Sequence, residues 1–226
     1  MWSRDGTRII HSSLRGNERW IVERPTSGAG QETLLRKGPA MTSVHGVPFD
    51  SVLPTDVSPD EHWIVTSQIA SGATGVVSLL PRAEGAQIIR YTGAIDATLS
   101  PDGRWLLFSN DIVHPEVFVQ SVPPERGGKW QISRAGGGNA VWRADGKEIF
   151  YLAADGKLMS VAVESNENFF RPGTPEPLFQ TRMVPSVFRE YDVTRDGKRF
   201  LLNVPIAGPR EEPITVIVNW PRLLRK

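Results

Sequence analysis

One short pattern recurs along the chain and limits its fold more than any other feature. A pair of small or polar residues is followed by Asp, usually by Gly, and then by a short run of apolar and aromatic residues. It appears as Ser3-Arg4-Asp5-Gly6 ahead of residues 7–12, Ser58-Pro59-Asp60-Glu61 ahead of 62–67, and Ser100-Pro101-Asp102-Gly103 ahead of 104–109. Arg143-Ala144-Asp145-Gly146 precedes residues 147–152, and Thr194-Arg195-Asp196-Gly197 precedes 198–203. Successive aspartates are 55, 42, 43 and 51 residues apart. Self-similarity at such a period marks a repeat architecture in which one unit cannot bury its apolar face alone.

The residue types explain the turn. Pro presets φ for the second turn position, Asp bonds the backbone just ahead of it, and Gly accepts φ > 0 where the chain reverses. Each motif therefore joins two antiparallel strands. Three places ahead of the Asp stands an apolar residue, Trp2, Val57, Leu99, Trp142 or Val193. Second strands are clearest in Trp105-Leu106-Leu107-Phe108 and Ile149-Phe150-Tyr151-Leu152. Third strands are expected at 19–23, 75–80, 116–121, 158–163 and 214–220, and fourth strands at 33–35, 87–91, 129–132 and 176–180. The 18 prolines and 21 glycines fall mostly between these runs, and no helical period stands out. The predicted fold is all-β, a β-propeller of four-stranded antiparallel blades. Residues 1–226 read as one propeller domain or fragment, with repeats at about 1–36, 54–91, 94–133, 138–180 and 189–220. The first and last repeats look incomplete, so further blades upstream are expected, in a ring of six or more.

Several stretches carry a family resemblance. Trp2-Ser3-Arg4-Asp5-Gly6, Ser100-Pro101-Asp102-Gly103-Arg104-Trp105 and Glu116-Val117-Phe118-Val119-Gln120 resemble the WD-like propeller repeats of the TolB type. Residues 127–133, 191–200 and Pro213-Ile214-Thr215-Val216-Ile217-Val218-Asn219-Trp220 are similar to the C-terminal propeller segment of bacterial serine/threonine protein kinases. The same segment also follows winged-helix domains. The resemblance implies a sensor or scaffold that binds a protein or ligand, with a kinase or winged-helix domain upstream and an extracytoplasmic location. It implies no catalytic residue and no cofactor in this chain. The alternatives are the accessory propeller of a peptidase or other hydrolase, and a TolB-like envelope scaffold.

The search for chemistry points the same way. The sequence has no Gly-x-Ser-x-Gly, no glycine-rich phosphate loop and no kinase catalytic motif. Cysteine is absent, which rules out disulfides and thiol chemistry. The formal net charge of +1 argues against a phosphate-gripping surface, and Arg222, Arg225 and Lys226 read as a solvated tail. No apolar run is long enough to span a bilayer. His11, His45, His62 and His114 lie in unrelated contexts without metal-ligand spacing, and His11 and His62 are expected to pack. Trp2, Trp63, Trp105 and Trp142 recur at related places and are expected between blades, with Trp20, Trp130 and Trp220 further out. Residues 164–189, with four prolines, read as an irregular connection.

One constellation stands out. Innermost propeller strands line the central channel, and counting back from each motif Asp places Asp56, Asp96, Glu190 and Asp192 on its side. Thr98 and Asn139 occupy equivalent strands. Convergent carboxylates make a local negative potential suited to a cation or a basic peptide segment. Solvation, or pairing with Arg143, Arg189 or Arg195, is the plainer outcome.

Overall fold

The apolar run after each Asp-Gly turn becomes a strand with neighbours on both of its faces. The computed structural model describes residues 1–16, 18–40, 43–44, 47–48, 52–69, 75–83, 86–183 and 189–205. The first blade holds β1 (Arg8–Arg15), β2 (Glu18–Pro25) and β3 (Thr33–Ala40), with Trp2 bridged to Ile9 at its inner edge. A short hairpin, β4 (Ser43–Val44) and β5 (Val47–Pro48), follows. The second blade is a four-stranded antiparallel sheet of β6 (Val52–Val57), β7 (Trp63–Ile69), β8 (Gly75–Pro81) and β9 (Ile89–Thr92). The third repeats it with β10 (Ile95–Leu99), β11 (Trp105–Ser109), β12 (Val117–Ser121) and β13 (Lys129–Gln131). The fourth contains β14 (Gly137–Trp142), β15 (Glu148–Ala153), β16 (Lys157–Ser165), β17 (Phe170–Pro172) and β18 (Glu176–Gln180). The fifth is described as β19 (Tyr191–Val193) paired with β20 (Phe200–Leu202). The architecture is a β-propeller. Its only described helical turn is the 3₁₀ segment Pro124–Arg126, and no helix among the described residues is long and apolar enough to cross a membrane.

Each sheet is hydrogen-bonded within itself and meets its neighbours through side chains. All five residues of β11 are buried. Leu106 and Phe108 point toward the second blade, among Val65, Val77 and Leu79, while Trp105 and Leu107 point toward the fourth, among Ile149, Tyr151 and Val161. β15 does the same, with Ile149 and Tyr151 on one side and Phe150 and Leu152 on the side of Tyr191 and Phe200. The alternation of two is present but hidden, because both faces are apolar.

The motif fixes each inner hairpin through a repeated set of bonds. The Gly103 N–H donates to the Ser100 carbonyl at 2.8 Å, closing the turn, and Gly103 takes φ +74°. The Ser100 hydroxyl donates to Asp102 at 2.5 Å and accepts the Trp105 N–H at 3.0 Å, while Asp102 accepts the Arg104 N–H. Ser3, Ser58 and Thr194 make the same hydroxyl-to-carboxylate bond to Asp5, Asp60 and Asp196. In the fourth blade Arg143 takes the hydroxyl's place and clasps Asp145 with two nitrogens, at 2.7 and 2.9 Å. The serine's part in this turn is not evident from residue preferences alone. These bonds to the ionised form hold Asp5, Asp60, Asp145 and Asp196 below the usual carboxylate range.

Several expectations need correction. Trp2 is 63% exposed, because no described blade covers the outer face of the first sheet. His11 and His62 lie at the surface beside Glu32 and Asp60 instead of packing in a core. Residues 164–189 include ordered strand: β17 pairs with the far end of β16, and β18 pairs with its near end. Phe170 of β17 is buried 5.2 Å from the Trp105 ring and 5.1 Å from Trp130, and its proline-flanked sequence gave no strand signal. His45, Pro185, residues 214–220 and the terminal basic residues lie outside the described residues.

Two substitutions at matching positions test the double burial. Leu107→Ala leaves a cavity between the third and fourth blades and lowers unfolding free energy by about 2–5 kcal/mol. Leu201→Ala, in the fifth blade, removes a side chain that is 77% exposed and stays within about 0.5 kcal/mol of wild type. Urea titration followed by tryptophan fluorescence measures both. Ser100→Ala removes the acceptor of a buried N–H and costs about 1–3 kcal/mol in the same assay.

Candidate functional site

The innermost strands do not run straight. The β6–β7 register slips between Pro54 and Asp56, the β10–β11 register between Ile95 and Thr98, and the β14–β15 register between Gly138 and Val141. These are β-bulges, which bend a strand and re-aim its side chains. In β10 and β14 the bulge residue is left-handed, Asp96 at φ +47° and Asn139 at φ +52°. Non-glycine residues rarely hold that conformation, and it recurs here at one position of consecutive blades.

Arg189, which arrives from the fifth blade, stands 4.0 Å from Asp96 and exerts a weaker electrostatic pull on Asp56. Asp56 is well supplied with donors. Arg4 of the first blade reaches it at 3.2 Å, the Leu99 N–H of the third blade donates at 2.8 Å, and the Val57 N–H donates at 2.8 Å. Burial pushes its carboxyl upward, and Arg4 with the two N–H groups pulls it back. Asp56 therefore ties three blades together. Arg4 also donates to the Val57 carbonyl at 2.8 Å. Its role carried no signal in the sequence, where it is one of several motif arginines.

Asp96 is differently placed. Burial drives its carboxyl above the usual range, and Arg189, 4.0 Å away, together with the Asn139 side chain offsets this in part. Asp96 Oδ2 and Arg189 Nε are buried and make no hydrogen bond, and the same holds for Thr98 Oγ1, Ser109 Oγ and the Tyr191 hydroxyl. These atoms belong to β10, β11 and the start of the fifth blade, where buried polar groups of this kind are ordinarily satisfied by protein or ordered water. Burial also raises the Tyr191 hydroxyl far above its ordinary value.

Glu190 stands just before β19 and Asp192 in its middle, and these are the more accessible carboxylates. Glu190 accepts from Asn203 Nδ2 at 2.8 Å, and the exposed Asp192 accepts the Val193 N–H at 2.8 Å. They line a cleft of about 570 Å³ together with Arg189, Tyr191 and Asn203. The structure thus brings Arg189 to Asp96, with Asp56 within its field, and sets Glu190 and Asp192 at and just before β19 beside it. Arg143 faces Asp145 and Glu148 instead. Among the described residues no cluster of three or more His, Cys, Asp or Glu side chains is arranged to hold a metal ion.

No family model matches the chain, and no curated protein matches it in sequence. Solved structures do. TolB from Acinetobacter baumannii aligns with a TM-score of 0.60 at 16% identity, covering 90% of this chain and 48% of that one. The periplasmic gluconolactonase of Pseudomonas aeruginosa aligns with a TM-score of 0.55 at 18% identity, over 88% of this chain and 62% of that one. The Cps50 (Swd1) β-propeller domain of Myceliophteria thermophila gives 0.54 at 14% identity, over 90% and 61%. The chain spans less than two thirds of each of these structures. At such identities they show the fold, and the fold hosts many functions.

The raised Asp96 carboxyl has a pH signature. A carboxyl that binds its proton more tightly when folded contributes stability in full below the unfolded value of about 4. That contribution is lost as pH rises through the higher folded value. Asp96→Asn removes the dependence. The difference in unfolding free energy between wild type and Asp96→Asn should move in favour of the variant across that interval and level off above it, measured by urea titration at a series of pH values.

Proposed function

We propose that this chain is a non-enzymatic binding propeller, the sensor or scaffold part of a bacterial signalling protein, whose partner is a protein or peptide. The observation that carries the reading is the convergence of Asp56, Asp96 and Arg189 from three blades, with Glu190 and Asp192 at the open side. Arg4, Arg189 and, next to Asp192, Arg195 and Arg199 face the four carboxylates of this site. A lysine or arginine side chain on a partner segment suits it: such a group donates to Asp96 Oδ2 and exchanges with Arg189, whose long contact is easily given up. No cofactor and no nucleic acid enter this reading. The signalling assignment rests on the similarity of residues 127–133, 191–200 and 213–220 to kinase-linked propellers, and with it come an upstream kinase or winged-helix domain and an extracytoplasmic setting.

A labelled oligolysine peptide titrated by fluorescence anisotropy tests the site. We expect saturable binding that weakens with salt, and weakens about tenfold in a Glu190→Gln/Asp192→Asn variant. Glu164→Gln, an exposed carboxylate elsewhere, serves as the control. Absence of binding, or an equal loss in the control, removes the channel-mouth reading. The complete open reading frame tests the wider assignment, which a fused peptidase domain in place of a kinase would replace.

A further inference from the structure

A small cavity sits between the third and fourth blades, beside the channel mouth. Its volume is about 20 Å³, and it is lined by Asp96 of β10, Ser109 at the end of β11, Asp111 and Pro115 in the loop that follows, and Gly138 and Asn139 of β14. That space takes one group the size of a water molecule.

Asn139 is engaged with the Asp96 side chain, and the other polar side chains of the lining present oxygens. Ser109 is 3% exposed, and its Oγ makes no hydrogen bond. Asp96 Oδ2 is likewise buried without a hydrogen bond, while Arg189 approaches the other oxygen, Oδ1, at 4.0 Å. Asp111 adds a second carboxylate, whose Oδ1 accepts the Val113 N–H at 2.7 Å. Among the described residues no basic side chain lines the cavity. Such a set favours a compact donor that carries positive charge.

Gly138 keeps the space open. A Cβ there would stand 3.7 Å from Ser109 Oγ and 3.6 Å from two carbons of Pro115, all ordinary contacts, and Gly138 lies outside the left-handed region. The backbone therefore accepts alanine at 138, and its methyl group would occupy the space beside the Ser109 hydroxyl.

On the reading that the channel mouth binds a basic segment, we infer that the segment presents a lysine whose ammonium enters this cavity, so that the site selects lysine over arginine. An ammonium is a compact group with three donors, and Asp96 Oδ2, Ser109 Oγ and the Asp111 carboxylate offer it three acceptors. A guanidinium is a planar fork with five donors, too broad for the space of one water. It lies only across the outer carboxylates, Glu190 and Asp192, which accept either cation. Arg189 lines their cleft and also reaches Asp96, so cleft and cavity adjoin.

Fluorescence anisotropy with labelled oligolysine and oligoarginine of equal length tests the selectivity. Arginine ordinarily has the advantage on carboxylates through its bidentate fork. Wild type should reverse that order and bind oligolysine about tenfold more tightly. Gly138→Ala should bring oligolysine down to the affinity of oligoarginine and leave oligoarginine unchanged. Ser109→Ala leaves the space but removes one acceptor, and should lose part of the preference. Circular dichroism confirms that both variants fold, and unchanged oligoarginine binding reports an intact mouth. Equal affinities in wild type, or a preference that survives Gly138→Ala, overturn the inference and leave the binding reading standing. Binding of neither peptide overturns both.

Discussion

The burial of each second strand on both faces underlies everything else in this molecule. β11 and β15 are apolar at consecutive positions, so neither can turn a face to water. A four-stranded sheet with two apolar faces needs a sheet on either side, and the twist of each sheet rotates its successor. The strand-to-strand hydrogen-bond ladders stay inside blades, and the apolar layers join them. At about 25 cal/mol per Å² of buried apolar surface, the layer of Trp105, Trp130, Tyr151 and Phe170 outweighs any single polar contact between blades.

Those polar contacts set alignment. The hydroxyl–carboxylate bond fixes four of the five described turns in the same way, and glycine is the usual last residue. Glu61 is the exception. It takes φ +57° where the other turns have glycine, yet its carboxylate accepts from Arg8 at 2.6 Å and from the Arg4 N–H at 3.1 Å. The strain of a left-handed side chain is offset by a link between the first two blades. Arg4, Thr55 and Asp56 extend such links along the channel, Thr55 donating to the Ala97 carbonyl at 2.7 Å.

The propeller was legible because a recurrent turn needs few residues and those residues have narrow conformational preferences. Strand positions such as 75–80 and 116–121 followed from continuous apolar runs, and the structure has β8 and β12 there within a residue. The candidate site was legible only in outline. Counting by twos along β10 presumes a regular pleat, and the bulge at Asp96 breaks it. The engagement of Asp56 with Arg4 and the Leu99 N–H depends on how neighbouring blades abut, which no local pattern encodes. Trp2 misled for a related reason: its position is that of a core residue, and only the neighbour that would bury it makes it one. Phe170 was missed because Pro172 and the polar residues before it mask a three-residue strand.

The reach of Arg189 changes how such an array can come apart. Sheets that touch only their neighbours behave as a linear series, in which ends fray without disturbing the middle. Arg189 leaves the fifth blade and meets Asp96 in the third, skipping the fourth. That chord makes loosening at the carboxyl-terminal end felt two sheets away, so whatever engages the axial carboxylates also sets how firmly the last sheet is held.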